Sequence, residues 1–412
     1  MIIRKFKIKR IIYLITAFLI LPYSFSMAQK FENLADTPPM GWNSWNHFAC
    51  DINENVIKEI ADVLVSSGMK DAGYVYVNID DCWQGERDSL GFIHPNSERF
   101  PSGMKALADY VHAKGLKLGI YSCAGSKTCG GYPASREHEY QDACAFAQWG
   151  IDYLKYDWCN TEGLNAVGAY KTMRDALFDA GRPMVFSLCE WGNNKPWEWG
   201  ANVGHLWRTT GDIYNCFDCV KDHGTWKSWG VTYIIDMQDG LRKYAGPNHW
   251  NDPDMMEVGN GMSINEDRAH FSMWCMLTAP LIAGNDLRKM TKDVTEILSN
   301  KEVIAIDQDK LGIQGFRYSS QDSVEIWFKP LENDDWAMCI LNRNSRPRTF
   351  CFDWQKENVI DEVWNKSTNF HAVNYELKDL WKKQMIGNTN VNFEAEIPAH
   401  DVIMLRLIKS TK

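Results

Sequence analysis

The chain has 412 residues, 45% of them hydrophobic, with 53 acidic side chains against 44 basic ones and a formal charge of −9. That length accommodates about two or three domains, and the apolar content supports a large core. An acidic protein is a poor partner for nucleic acid or an anionic membrane, so a neutral substrate recognised through hydrogen bonds fits better.

The N-terminal segment, residues 1–28, has the three-part pattern of a secretory signal peptide. Arg4, Lys5, Lys7, Lys9 and Arg10 form a basic block, an apolar run follows from Ile11 to Leu21, and a polar stretch carries the small residues Ser26 and Ala28. Cleavage is expected after Ala28. The run is too short to span a bilayer, which takes roughly 20 residues, so the mature protein is expected to be secreted or periplasmic, without a membrane partner. No cysteine marks a lipid attachment point. Removing the five basic residues takes the formal charge from −9 to −14. Twelve cysteines in an exported chain point to disulfides, but spacing alone does not say which pair. Cys216 and Cys219, in "CFDC", have redox or zinc spacing without a second such pair or a histidine cluster, and read as structural or incidental.

Beyond that segment, apolar strand-like stretches alternate with amphipathic helices. The strand candidates in chain order are "MGWNSW", "YVYVNIDDCW", "KLGIYSC", "DYLKYDWCN", "PMVFSLCEWG", "HLWRTTGDI", "HWNDPDMMEVG" and "APLIAGNDL". Between them, "NENVIKEIADVLVSSG" places apolar residues at Val56, Ile60, Val63 and Leu64 and offers Asn53 as N-cap. "SGMKALADYVHAKG" and "NAVGAYKTMRDALFDAG" each end in glycine, a common helix stop. About eight strand–helix repeats predict a parallel (β/α)8 barrel, an α/β TIM barrel, over residues 29–311. A doubly wound open sheet is the alternative, disfavoured because no GxGxxG follows the first strand. Past "NKEVIAIDQDKLGIQG" the apolar period becomes two. "SVEIWFKP", "WAMCILNR", "RTFCFDW", "NVNFEAEIPAH" and "DVIMLRLI" predict a C-terminal antiparallel β-sandwich over residues 312–412, expected to pack against the barrel rather than carry chemistry.

The chemistry is expected where the barrel strands end, since C-terminal strand ends build the active sites of such barrels. Asp80, Asp81, Asp157, Glu190, Asp212, Asp252 and Asp254 fall there, beside Trp45, Trp83, Trp158, Trp191 and Trp250, with Lys155 and Arg208 adding positive charge. Side chains alternate along a strand, so Lys155 and Asp157 face the same way. A lysine paired with Asp157 would lower its pKa and keep it ionised, as a nucleophile requires. Asp212 supplies a second carboxylate from another strand, and two such groups are the minimum equipment for glycoside hydrolysis. Tryptophan faces suit the C–H face of a sugar. One Lys–Asp pair alone would read as a structural salt bridge, but clustering this many carboxylates is costly unless a ligand needs them. Zinc chemistry would call for histidine ligands on strands. The ten histidines form no HxH and no HExxH, so neither a metal nor an organic cofactor is expected.

Taken together, "MGWNSWNHF", "NIDDCWQ", "GIYSCAG", "YLKYDWC", "SLCEWG", "WRTTGDI", "WNDPDMMEVG", "LIAGNDLR" and "NKEVIAIDQDKLGIQG" resemble, in order from about Pro39 to Gly315, the α-galactosidases (melibiases) of glycoside hydrolase family 27. The resemblance implies a retaining enzyme that removes terminal α-D-galactose, with Asp157 as nucleophile and Asp212 as acid/base. It puts Trp45, Asp80, Asp81, Tyr121, Lys155, Arg208 and Asp254 on sugar-binding positions. Asp80 and Asp81 would grip the 4- and 6-hydroxyls, and Arg208 and Asp254 would lie toward the 2-hydroxyl. Cys189 and Trp191 match the form that crowds the 2-position. The resemblance also implies the disulfides Cys50–Cys82 and Cys129–Cys159, the second bringing Cys129 beside the substrate. Glu190 and Asp252 are left without direct roles, Asp252 being expected to order the "NDPD" loop.

The expected reaction is double displacement, with the two carboxyls about 5 Å apart as retention requires. The rivals on the same scaffold are a β-L-arabinopyranosidase and an α-N-acetylgalactosaminidase. A catalytically silent galactoside-binding protein is the rival from another class, disfavoured because both carboxylates are present. The expected partner is an α-galactoside oligosaccharide or polysaccharide. Oligomeric state is not legible in the sequence.

Overall fold

Each of the eight barrel segments contributes one short strand. In the computed structural model, which describes residues 30–410, these are β1 (Met40–Asn43), β2 (Tyr76–Asn78), β3 (Lys117–Cys123), β4 (Tyr153–Asp157), β5 (Val185–Cys189), β6 (Leu206–Arg208), β7 (Trp250–Asp252) and β8 (Leu281–Ala283). The signal-peptide reading of residues 1–28 lies outside the described residues. All neighbouring strands pair in parallel, in the order β7–β6–β5–β4–β3–β2–β1–β8. The ends of this sheet meet through Met256, just beyond β7, which bridges to Ala283 and exchanges backbone hydrogen bonds with Ile282 and Gly284 at 2.7 and 2.9 Å. That single bridge turns the sheet into a ring, the expected barrel.

Helices α1 (Glu54–Ser66), α2 (Gly103–Ala113), α3 (Glu139–Trp149), α4 (Ala166–Asp179), α5 (Val231–Met237) and α6 (Ile264–Leu277) lie between successive strands; β5 and β6 are joined by short helical turns instead. Asn53 caps α1 by accepting from the amides of Asn55 and Val56. The buried stripe of α1 is Ile57, Ile60, Ala61 and Leu64. It is rotated from the expected one: Ile57 and Ala61 are fully buried while Val56 and Val63 are only partly buried against the core.

Alternation along the strands sorts apolar from polar. On β4, Leu154 and Tyr156 join the core between sheet and helices, while Tyr153 packs inside the ring with Tyr76, Val185, Leu206 and Trp250. That apolar plug fills the bottom of the barrel. Two residues further along each strand, Asn78, Lys155, Ser187, Arg208 and Asp252 face a void of about 30 Å³. Above them the interior opens to the C-terminal mouth.

The second domain is built on a six-stranded antiparallel sheet of β9 (Phe316–Gln321), β10 (Val324–Pro330), β11 (Trp336–Asn342), β12 (Tyr375–Asp379), β13 (Gln384–Asn388) and β14 (Val402–Lys409), ordered β9–β10–β11–β14–β12–β13. Two antiparallel strand pairs accompany it: Arg348–Phe352 with Phe393–Ile397, and Asn358–Asp361 with Lys366–Asn369. The central strands are buried on both faces. Ile326, Phe328, Met338, Ile340, Ile403 and Leu405 form the sandwich core, while Trp327, Ala337, Cys339, Leu341 and Met404 extend the barrel core. The second set packs on α6, which explains why that helix is buried nearly all round. Arg268–Asp401 at 2.6 Å and the Trp381–Ser272 hydrogen bond at 3.0 Å fasten the edge of this interface.

Candidate active site

The mouth of the barrel is a cavity of about 450 Å³. Trp45, Asp80, Asp81, Tyr121, Cys129, Lys155, Asp157, Trp191, Arg208, Asp212 and Asp254 all line it. Segments as far apart as β1 and the stretch after β7 thus bring eleven expected residues to one place. Cys189 is not on this wall. Its thiol lies beneath, in the small void, 3.7 Å from the Arg208 Nη1. Of the neighbouring tryptophans, Trp83 and Trp250 belong to the core and Trp158 stacks on Tyr170 at 5.6 Å. Glu190 turns into its own loop, accepting from the Asn194 amide and side chain at 2.6 and 2.7 Å.

On the β2 side, Asp80 accepts from the Lys155 ammonium and the Asn43 side chain, both at 2.8 Å. Asp81 accepts from the Gly130 and Cys82 amides, both at 2.7 Å. The lysine therefore pairs with Asp80 rather than directly with Asp157, contrary to the expectation. Residues two apart on a strand are separated by about 6.6 Å, so Lys155 sits one layer below Asp157 and its ammonium reaches across to β2. Burial opposes the charge on Lys155, but the Asp80 and Asp157 carboxylates outweigh it and hold the ammonium well above its ordinary range. Asp157 is only 5% exposed. Burial pushes its carboxyl up to about 7; Lys155 is the strongest influence in the other direction, and Asp212 adds to the rise. The Trp158 amide donates to it at 2.8 Å.

On the opposite side, the Arg208 Nη2 lies 3.0 Å from Asp212 and 2.8 Å from Asp254. Asp254 also accepts from the Ile213 amide at 2.9 Å. Its backbone is left-handed, with φ of 97°, an uncommon state for a non-glycine residue. The strain is held by the Asp252 side chain, which accepts from the Asp254 amide at 2.9 Å, and by the Trp274 indole, which donates to the Asp254 carbonyl at 2.8 Å. Asp252 thus orders the loop and does not reach the cavity. Burial lifts the Asp254 carboxyl to about 6, against the pull of Arg208. Asp212 differs from Asp157 in position: its side chain is 41% exposed, toward the opening.

Two disulfides fix the loops around this charge cluster. Cys129–Cys159 joins the loop after β3 to the loop after β4, and the Tyr121 hydroxyl donates to the Cys129 sulfur at 3.3 Å. Cys50–Cys82 ties down the residue after Asp81. Cys216–Cys219 is a third bond, so the CxxC is a structural staple near the rim. Among the described residues, Cys129, Asp157 and Cys159 approach as metal ligands would, but the two sulfurs are bonded to each other and leave Asp157 as the one donor.

The cavity also takes in residues that the sequence did not single out. Asn46 and Asn260 both donate to buried Glu257, the former at 2.7 Å. Tyr214, His223 and Trp226 form its exposed rim, with Ser228 buried behind them. Glu257 stands in "MMEVG", a quoted motif, and its carboxylate was a usable signal. The rim residues lie in a polar loop whose sequence resembles any surface hairpin.

Comparison with known proteins agrees with this geometry. Residues 37–309 match the family described as Alpha galactosidase A, and residues 321–407 match the Alpha galactosidase C-terminal beta sandwich domain. The chain is 57% identical over 380 residues to Alpha-galactosidase A of Cellvibrio japonicus, covering 92% of this chain and 94% of that one. The crystal structure of α-galactosidase I from Mortierella vinacea superposes with a TM-score of 0.85 at 37% identity, over 92% and 98% of the two chains. An α-galactosidase from Saccharomyces cerevisiae, solved with raffinose, superposes with a TM-score of 0.83 at 31% identity, over 92% and 98%.

Proposed function

The chain belongs to the melibiase family of α-galactosidases, and from that premise we infer that Asp157 and Asp212 cleave terminal α-galactosides by double displacement. The observation that carries the reading is the unequal placement of the two carboxylates in one cavity. Asp157 is closed in on the floor and Asp212 stands toward the opening. A sugar seated on the floor would present its anomeric carbon to Asp157 and its leaving oxygen to Asp212. In the first step an Asp157 oxygen bonds to the anomeric carbon as the glycosidic bond breaks, and Asp212 gives its proton to the leaving oxygen. In the second, Asp212 takes a proton from water, whose oxygen displaces Asp157 and frees galactose in its original α configuration. Lys155 keeps a positive charge beneath both Asp80 and Asp157, and Arg208 orients Asp212 and Asp254 together.

Asp80 and Asp81 fit the 4- and 6-hydroxyls, since among the described residues only Asn43, Lys155 and the Asp81 amide anchor Asp80, and both carboxylates line the cavity. That pair favours galactose over β-L-arabinopyranose, which lacks the hydroxymethyl group. Trp191 on the wall favours it over the 2-acetamido sugar. We further propose export to the periplasm or medium, which the pattern of residues 1–28 and the three disulfides support.

The test is proton NMR of early turnover on an aryl α-galactoside, run beside the aryl α-N-acetylgalactosaminide and β-L-arabinopyranoside. α-Galactose should appear first, and the other two glycosides should be poor substrates. β-Galactose as first product would show inversion and remove the covalent step.

A further inference from the structure

We propose that the hairpin of residues 220–229, with His223 and Trp226 on its cavity side and Tyr214 beside it, is the platform that receives the sugar ring to which the galactose is bonded. The proposal rests on the hydrolase reading of the cavity and extends it outward from the galactose to the leaving group.

The hairpin is coupled to the proposed proton donor. Its strands, Val220–Asp222 and Lys227–Trp229, pair antiparallel. The Trp229 amide donates to the Asp212 carbonyl at 3.1 Å and the Tyr214 amide donates to the Trp229 carbonyl at 2.8 Å. Ile213 and Trp229 form a parallel bridge. Gly211 allows this approach, because a Cβ there would lie 2.2 Å from the Trp229 ring. At the same end the Cys216–Cys219 disulfide staples the base, and the Gly230 and Val231 amides donate to the carbonyls of Cys219 and Cys216 at 2.8 and 3.0 Å. The chain therefore leaves Asp212, closes a rigid loop and returns to Asp212. Whatever lies beyond the scissile oxygen faces that loop.

The side chains it presents are aromatic and exposed. His223 and Trp226 stack with centroids 3.8 Å apart and rings 11° from parallel. The His223 Nε2 is 2.9 Å from the Ser228 hydroxyl, which pins the imidazole. Trp226 is 49% exposed and Tyr214 37% exposed, although both line the cavity. Large aromatic surface left open beside a catalytic carboxylate calls for an occupant. A pyranose suits it, with C–H faces for the rings and hydroxyls for the edges. Trp45 and Trp191 line the same cavity. The aromatics of the hairpin continue the wall on the Asp212 side, where the leaving group must depart.

The experiment compares kcat/KM for melibiose and for galactomannan with that for α-galactosyl fluoride, whose leaving group is a single atom. In Trp226→Ala, the ratio of either sugar-linked substrate to the fluoride should fall ~10-fold, the scale of one aromatic contact. His223→Ala should fall less. An unaltered ratio, with wild-type activity on the fluoride, overturns the platform and leaves the hydrolase reading standing. A fall for galactomannan alone overturns it too, because it places the hairpin beyond the adjacent ring. Wild-type protein that binds α-galactosyl fluoride without cleaving it overturns the hydrolase reading and the platform with it.

Discussion

Lys155 and Lys329 are both lysines taken out of water with an aspartate nearby, one under the barrel mouth and one where the sandwich meets the barrel. Lys155 forms a 2.8 Å ion pair with Asp80, has Asp157 above it, and stays charged. Lys329 donates to two carbonyls, those of Cys275 and Ile306, at 3.1 and 2.5 Å, and no carboxylate among the described residues pairs with it directly. Burial brings its ammonium down to about 8, and burial lifts the neighbouring Asp307 to about 8. The lysine is held charged where carboxylates converge on it and is driven toward neutrality where its direct partners are carbonyls, whereas burial lifts the aspartate at both sites.

The comparison breaks most readily at Asp157. Asp157→Asn should lower kcat on an aryl α-galactoside by about four orders of magnitude or more, as loss of a covalent nucleophile does. The same variant should be more stable than the parent at high pH. A carboxyl whose folded pKa is raised contributes stability that is fully present below about 4 and lost as pH rises through about 7. The amide has no such penalty. Melting curves should coincide near pH 4 and favour the variant above pH 7. An active variant would remove Asp157 from the mechanism, and a variant less stable at high pH would deny that the carboxylate is strained by burial.

Lys155→Met sharpens the contrast with a smaller effect. It removes one charge-assisted hydrogen bond and should lower kcat/KM ~10- to 100-fold. Because Lys155 is the largest influence holding the Asp157 carboxyl down, its loss should move the acid limb of the kcat/KM profile to higher pH. In the parent that limb should already lie above the ordinary carboxylate range. A profile that does not shift would mean that Lys155 acts through Asp80 alone.

Much of this contrast was legible in the sequence, because it rests on strand alternation. Period two places Tyr153, Lys155 and Asp157 on one side of β4, and the barrel reading makes that side the interior. The partner of Lys155 was not legible. Choosing Asp80 over Asp157 depends on which layer of the ring each residue occupies, and on parallel register between strands that are 75 residues apart. The position of Cys189 was not legible for the same reason: it stands beside Asp157 in register yet lines the small void below the wall. In the sandwich, β9, β12, β13 and the pair Asn358–Asp361 with Lys366–Asn369 were not anticipated. They are short and mostly polar, and only pairing with longer neighbours makes them strands. The rim hairpin was invisible because exposed aromatics in a polar loop carry no periodic signal.

The smallest effect is expected at the interface. Asp307→Asn keeps an oxygen to accept from the Gln308 side chain, which donates to the carboxyl at 2.7 Å. It removes a group whose stabilising contribution is present below about 4 and lost as pH rises through about 8. Thermal melts should therefore match the parent near pH 4, and the variant should gain about one degree by pH 8.5, about what 1 kcal/mol yields in a protein of this size. Turnover of an aryl α-galactoside should stay within twofold, because Asp307 lies at the domain interface and not on the cavity wall. A gain at pH 4 equal to that at pH 8.5 would assign the effect to packing. A loss at pH 8.5 would mean that Asp307 is ionised there in a true ion pair with Lys329, and the two buried sites would then be alike.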